Sequence, residues 1–126
     1  MDFWHGLILD RTQAVCPQLC AQIRKQIVSG SLENETRLPS RRETAAALEI
    51  NPNTVQKAYK QLEDEGIIVT DGNLGSIVRC TEAVRCRLRE DATCEMAAEF
   101  VSRAKELKLS YKQALDLISS AWETLP

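Results

Sequence analysis

A chain of 126 residues fits one compact domain or a small domain plus an appendage, not two large ones, which argues against a large catalytic scaffold. Hydrophobic residues at 44% and charged residues at 27% are ordinary globular usage, so neither wholesale disorder nor a fibrous chain fits. Sixteen basic against eighteen acidic residues leave a net charge of -2, which excludes binding nucleic acid by bulk charge alone.

The positive charge is nevertheless concentrated. Residues 37–60 carry Arg37, Arg41, Arg42, Lys57 and Lys60 against Glu43 and Glu49, a local excess that acts within a Debye length. No apolar run reaches membrane-span length, and Met1-Asp2 provides no basic region ahead of Leu7-Ile8-Leu9. No leader and no membrane anchor are expected, and a cytoplasmic setting follows. Cys16, Cys20, Cys80, Cys86 and Cys94 form no CxxC pair, and His5 is the single histidine. No metal or cofactor site is expected, and the thiols are read as reduced.

Residues 1–15 contain Phe3, Trp4, Leu7, Ile8, Leu9 and Val15 without helical period and are read as an irregular arm that must pack on something. From Pro17 the apolar residues Leu19, Cys20, Ile23, Ile27 and Val28 recur at three and four, which predicts a first helix over 17–28 stopped at Ser29-Gly30. Residues 33–39 read as a polar connector. Ser40 and Glu43 have capping-box spacing and open a second helix to Leu48, with Thr44, Ala47 and Leu48 inward. After the turn at Glu49-Ile50, Asn51 caps and Pro52 starts a third helix, which Gly66 ends.

That third helix separates by face: Val55, Ala58, Tyr59 and Leu62 on one side, Asn53, Gln56, Lys57 and Lys60 on the other. An ordinary surface helix has the same partition. Two short helices across a three-residue turn, the second with amides and cations outward, also have the helix-turn-helix layout whose second helix enters the major groove. Ile67-Ile68-Val69 and Ser76 to Cys80 then predict a hairpin around Asp71-Gly72, placed as a wing.

The run Leu38-Pro39-Ser40-Arg41-Arg42-Glu43, followed by Asn53-Thr54-Val55-Gln56-Lys57-Ala58-Tyr59 and Leu62-Glu63-Asp64-Glu65-Gly66-Ile67-Ile68, resembles the winged helix-turn-helix of GntR-family bacterial transcription regulators. The resemblance covers residues 16–79, and Asn51-Pro52-Asn53-Thr54-Val55 with the short tail is similar to the YtrA-like subfamily. It implies that Arg42 contacts DNA from the start of the helix before the turn, that Asn51, Pro52, Asn53 and Gln56 occupy recognition-helix contact positions, and that Gly72 is the wing-tip glycine. Ser40, Arg41, Thr54, Lys57 and Lys60 complete the expected DNA-binding set. Pro52 and Gln56 stand where many relatives carry arginine, and Thr44 where a leucine is usual. An amide at 53 or 56 can pair with adenine N6 and N7, whereas arginine prefers guanine.

In residues 81–126, Val84, Leu88, Ala92, Met96, Phe100, Val101, Ala104 and Leu107 predict one helix over 82–108. Ser110 and Gln113 cap a strongly apolar last helix. Two helices enclose little core, so their apolar face is expected to form a homodimer through Phe100, Leu107, Leu115, Ile118 and Trp122. Arg85, Arg87 and Arg89 receive no role.

The expected architecture is therefore mainly α with a small β-hairpin: a winged helix-turn-helix over 1–80, including the arm, and a two-helix dimerisation region over 81–126. The expected function is a dimeric repressor binding an inverted-repeat operator in double-stranded DNA. The resemblance adds that YtrA-like members often control membrane-transporter operons. A winged-helix adaptor for protein partners is the alternative that the residues leave open. No convergent set of His, Ser or carboxylate groups forms a catalytic motif, so no enzyme is expected. The tail is short of a family-sized effector domain, and no effector is assigned.

Overall fold

The computed structural model describes residues 3–126. Met1 and Asp2, on which the expectation of no leader partly rests, lie outside them. Five helices and two strands follow in the order α1 (Val15–Val28), α2 (Arg41–Leu48), α3 (Pro52–Asp64), β1 (Ile68–Asp71), β2 (Gly75–Val78), α4 (Glu82–Glu106) and α5 (Tyr111–Thr124). No helix among the described residues is long and apolar enough to cross a membrane.

Helix α1 buries Leu19, Cys20, Ile23 and Ile27 at helical spacing and begins two residues before Pro17, which a first turn tolerates because its N–H needs no partner there. In α2 the capping box forms in both directions: Ser40 Oγ accepts from the Glu43 amide at 3.1 Å and the Ser40 amide donates to Glu43 Oε1 at 3.2 Å. The inward side of α2 is Thr44 and Ala45, with Leu48 half-buried, and Ala47 is exposed. The expected inward position of Ala47 is thus corrected. At 100° per residue Ala47 falls about 110° from the midpoint between Thr44 and Ala45, outside the stripe that an eight-residue helix buries.

The turn between α2 and α3 is set by Glu49 in the left-handed region at φ 54°, and Asn51 Oδ1 caps α3 by accepting from the Asn53 amide at 2.8 Å. Gly66, at φ 76°, ends the helix segment, a conformation with little steric cost for glycine. The core joins Leu19, Ile23 and Ile27 of α1 to Val55, Ala58, Tyr59 and Leu62 of α3 and to Ile67, Ile68 and Val78 of the hairpin.

Strands β1 and β2 pair antiparallel in the register Ile68↔Val78, Val69↔Ile77, Thr70↔Ser76 and Asp71↔Gly75. The segment before α2 adds a third edge, which corrects the reading of residues 33–39 as a connector. Glu35 N–H donates to Val78 O at 2.8 Å, Val78 N–H to Thr36 O at 2.9 Å and Leu38 N–H to Ser76 O at 2.9 Å, so Arg37 bridges to Ile77.

The chain divides into two compact units, one through Arg89 and one from Glu90. The reason lies in the first turns of α4. Leu88 is buried and Val84 half-buried against the first unit's core. Arg85 donates to Asn34 Oδ1 at 3.1 Å and Arg87 to Glu65 O at 3.3 Å, so two arginines left without a role by the sequence fasten the start of α4.

In the second unit, α5 opens with a capping box between Ser110 and Gln113 and buries none of its residues. Leu107, Leu115, Ile118 and Trp122 are exposed, Trp122 at 82%, and Phe100 is half-buried. Phe100, Leu117, Ile118, Trp122 and Leu125 line an apolar cavity of about 720 Å³ within this unit.

Candidate nucleic-acid interface

The outer face of α3 carries Pro52, Asn53, Gln56, Lys57 and Lys60, all exposed, while Thr54 is half-buried at the edge. Val55, Ala58, Tyr59 and Leu62 turn the other way into the core, so the helix has one rotational setting. Asn51 is exposed, but its carbonyl oxygen is committed to the cap, which leaves its NH2 group for another partner. Among the described residues, the side chains of Asn53, Gln56 and Lys57 hydrogen-bond to nothing else in the chain.

Lys60 Nζ pairs with Asp64 Oδ1 at 2.9 Å, one turn along the same helix. That bond raises the Lys60 pKa above its ordinary value. Both side chains are more than 60% exposed, and such a pair exchanges readily for another anion.

On α2, Ser40 is occupied with the capping box, and Arg42 is exposed in the first turn with no acidic partner among the described residues. Arg41 is half-buried, with a buried Nε that no protein acceptor meets. The two helices are held by a buried hydrogen-bond chain. Trp4 Nε1 donates to Thr44 Oγ1 at 3.0 Å, Thr44 Oγ1 and Tyr59 Oη are 3.0 Å apart, and Tyr59 Oη donates to Pro39 O at 2.7 Å. The three donors fit one direction, with Thr44 giving its proton to Tyr59. Burial pushes the Tyr59 hydroxyl up to about 12, so it stays a donor throughout the physiological range.

Thr44, at a position where leucine is usual in the resembled family, is therefore the acceptor for the arm's tryptophan. The arm grips α2 a second time through Arg11, whose guanidinium donates to Leu48 O at 2.7 Å and Glu49 O at 3.0 Å, the carbonyls that the helix end leaves open. Sequence reasoning missed both contacts, since an apolar arm and an isolated arginine carry no periodic signal.

At the wing, Gly72 lies in the turn, but the left-handed residue is Gly75 at φ 76°. Asp71 Oδ1 accepts from the amides of Asn73 at 2.9 Å and Leu74 at 3.3 Å, so one of its carboxylate oxygens is engaged inside the turn. No group of three or more metal-ligating side chains occurs among the described residues.

A helix-turn-helix with a docked arm, a partly three-edged hairpin after the second helix and an outward polar face on that helix defines a winged helix-turn-helix DNA-binding domain. The model of the gntR family of bacterial regulatory proteins matches residues 17–78. The HTH-type transcriptional regulator YhcF of Bacillus subtilis is 32% identical over 106 residues, spanning 84% of this chain and 88% of that protein. The HTH-type transcriptional repressor YtrA of the same organism is 43% identical over 61 residues, 48% of this chain and 47% of YtrA. A GntR family transcriptional regulator from Listeria monocytogenes superposes with a TM-score of 0.79 at 28% identity, covering 89% of this chain and 98% of the other.

The chain belongs to the GntR family of bacterial transcriptional regulators. It is a regulator and not an enzyme.

Proposed function

We propose that this chain is a cytoplasmic, homodimeric repressor that binds an inverted-repeat operator in duplex DNA, and that the operon it controls encodes a membrane transporter. The reading is carried by the outward face of α3. Asn53, Gln56 and Lys57 support no other part of the fold, and they project from a helix whose inner face is locked in the core. Gln56 and Asn53 read adenine edges in the major groove; Asn51, Pro52 and Thr54 border them; Lys57 and Lys60 meet phosphates. Arg42 and Arg41, with Ser40, grip the backbone at the start of α2, and Gly72 lets the wing approach the duplex.

The second unit supplies the dimer. Leu107, Leu115, Ile118 and Trp122 leave an apolar surface that a monomer exposes at a cost, and with Phe100 it fits a symmetric, self-complementary interface. The name of YtrA supports repression.

Selection of bound fragments from random duplex DNA tests the whole reading. An inverted repeat with half-sites about one helical turn apart, or a multiple of it, is the expected result. Gln56→Ala should relax one position per half-site, and Arg42→Ala should lower the salt slope by about one. The same selected motif for wild type and Gln56→Ala would remove Gln56 as a reader. A monomer in sedimentation at micromolar concentration, with full operator binding, would remove the dimer. Failure to select any duplex would favour the adaptor.

A further inference from the structure

The wing has a shape suited to a groove and no cation of its own. Its tip, Gly72-Asn73-Leu74-Gly75, is uncharged, and Asp71 beside it is an acid that would oppose a polyanion. Asp71 turns one carboxylate oxygen, Oδ1, into the tip's own amides and keeps its charge. A positive group beside the tip would offset that charge where the wing meets DNA.

Arg37 is placed to supply it. Its backbone bridges to Ile77 of β2, while its Nε lies 3.9 Å from where a Cβ on Gly75 would stand. The side chain therefore runs along β2 from its partner Ile77 toward the tip. Leu38, the next residue, is buried, so strand alternation keeps Arg37 on the outer side, where it is exposed. The edge bonds from Leu38 and Val78 fix the backbone on both sides of it. Three other arginines of this unit are committed: Arg79 to Glu35 at 2.8 Å, Arg24 to Glu65 at 2.7 Å, and Arg11 to the α2 carbonyls. Arg37 has no ion pair among the described residues.

We infer that Arg37 is the wing's DNA-reading residue: it enters the minor groove beside the Gly75 backbone and prefers A·T pairs bordering each half-site. A narrow A·T minor groove concentrates negative potential, and an arginine inserted there gains from it. The exocyclic amine of guanine projects into the same groove and obstructs that position. The inference rests on the proposed DNA binding by this chain.

The test uses the full chain and the selected operator with its bordering pairs changed to A·T, G·C or inosine·cytosine. Inosine lacks the minor-groove amine and keeps the major-groove face of guanine. Wild type should bind A·T and inosine·cytosine borders alike and G·C borders about fivefold or more weakly, the low end of one good base contact. Arg37→Ala should bind all three equally, and Arg37→Lys should recover affinity in part without recovering the preference. Lys112→Ala, in the second unit, should leave the wild-type pattern in place. An Arg37→Ala protein that keeps the border preference overturns the inference while DNA binding stands. Loss of one unit of salt slope with the preference unchanged assigns Arg37 to a phosphate and overturns the minor-groove placement. Wild type that binds no duplex overturns the underlying DNA reading as well.

Discussion

The chain of Trp4, Thr44, Tyr59 and Pro39 gives a sharp stability prediction, because Thr44→Val keeps the shape of the side chain and removes the hydroxyl on which two bonds converge. Thr44 is fully buried, so no water is at hand to replace the hydroxyl. Each buried hydrogen bond is worth about 1 kcal/mol net, and a partner left short adds about 1 kcal/mol or more of desolvation. The expected loss is about 2 to 3 kcal/mol, which lowers the melting midpoint of a unit this size by about 10 °C or more. Urea and thermal unfolding followed by far-ultraviolet circular dichroism measure it. Thr44→Ser keeps the hydroxyl and should recover most of the loss. Tyr59→Phe removes one of the same bonds, so the double variant with Thr44→Val should cost about 1 kcal/mol less than the two singles together. A Thr44→Val protein within about 0.5 kcal/mol of wild type, or strict additivity in the cycle, would refute the shared-hydroxyl reasoning.

Ser40→Ala breaks both halves of the α2 capping box and should cost about 1 kcal/mol in the same unfolding assay. Burial drives the Cys20 thiol up to about 12, so iodoacetamide on the native protein should modify exposed Cys86 and Cys94 while Cys20 reacts only after denaturation, as read by peptide mass spectrometry. The hydrogen bond from Arg79 holds the Glu35 carboxyl below its ordinary value of 4.5, so the stability it contributes is present above that value and lost as pH falls through the lowered one. Glu35→Gln should therefore flatten the acid limb of the stability profile and leave the slope at neutral pH unchanged.

The helix caps and stops were legible. The Ser40 and Ser110 capping boxes, the Asn51 cap with Pro52, and the stop at Gly66 all depend on residues within four positions of one another, and each formed as read. The inner face of α3 was equally plain, because a 13-residue helix displays its period more than three times over. What escaped was long-range. The Arg37 to Ile77 bridge joins residues forty apart through backbone atoms, and the segment around it is too short to show strand alternation. Trp4 meeting Thr44 is likewise a pairing of one donor with one distant acceptor. The boundary at Arg89 was hidden because α4 keeps its helical period across it, and the docking is done by Leu88 and by the arginines at 85 and 87. At the candidate interface, residue identity was readable while engagement was not: only the structure shows that Asp64 holds Lys60 and that one oxygen of Asp71 is engaged within its turn.

The two faces of α3 also bear on how such a regulator changes its address over evolutionary time. Pro52, Asn53, Gln56 and Lys57 stand clear of the core, so substitutions there should move stability by only about 0.5 kcal/mol while altering what the proposed reading face presents. A duplicated gene can thus drift toward a new operator one letter at a time, each intermediate still folded and still selectable. Asn51 is the exception: its carbonyl is a structural cap, so exploring that position costs about 1 kcal/mol of stability before any new base is gained.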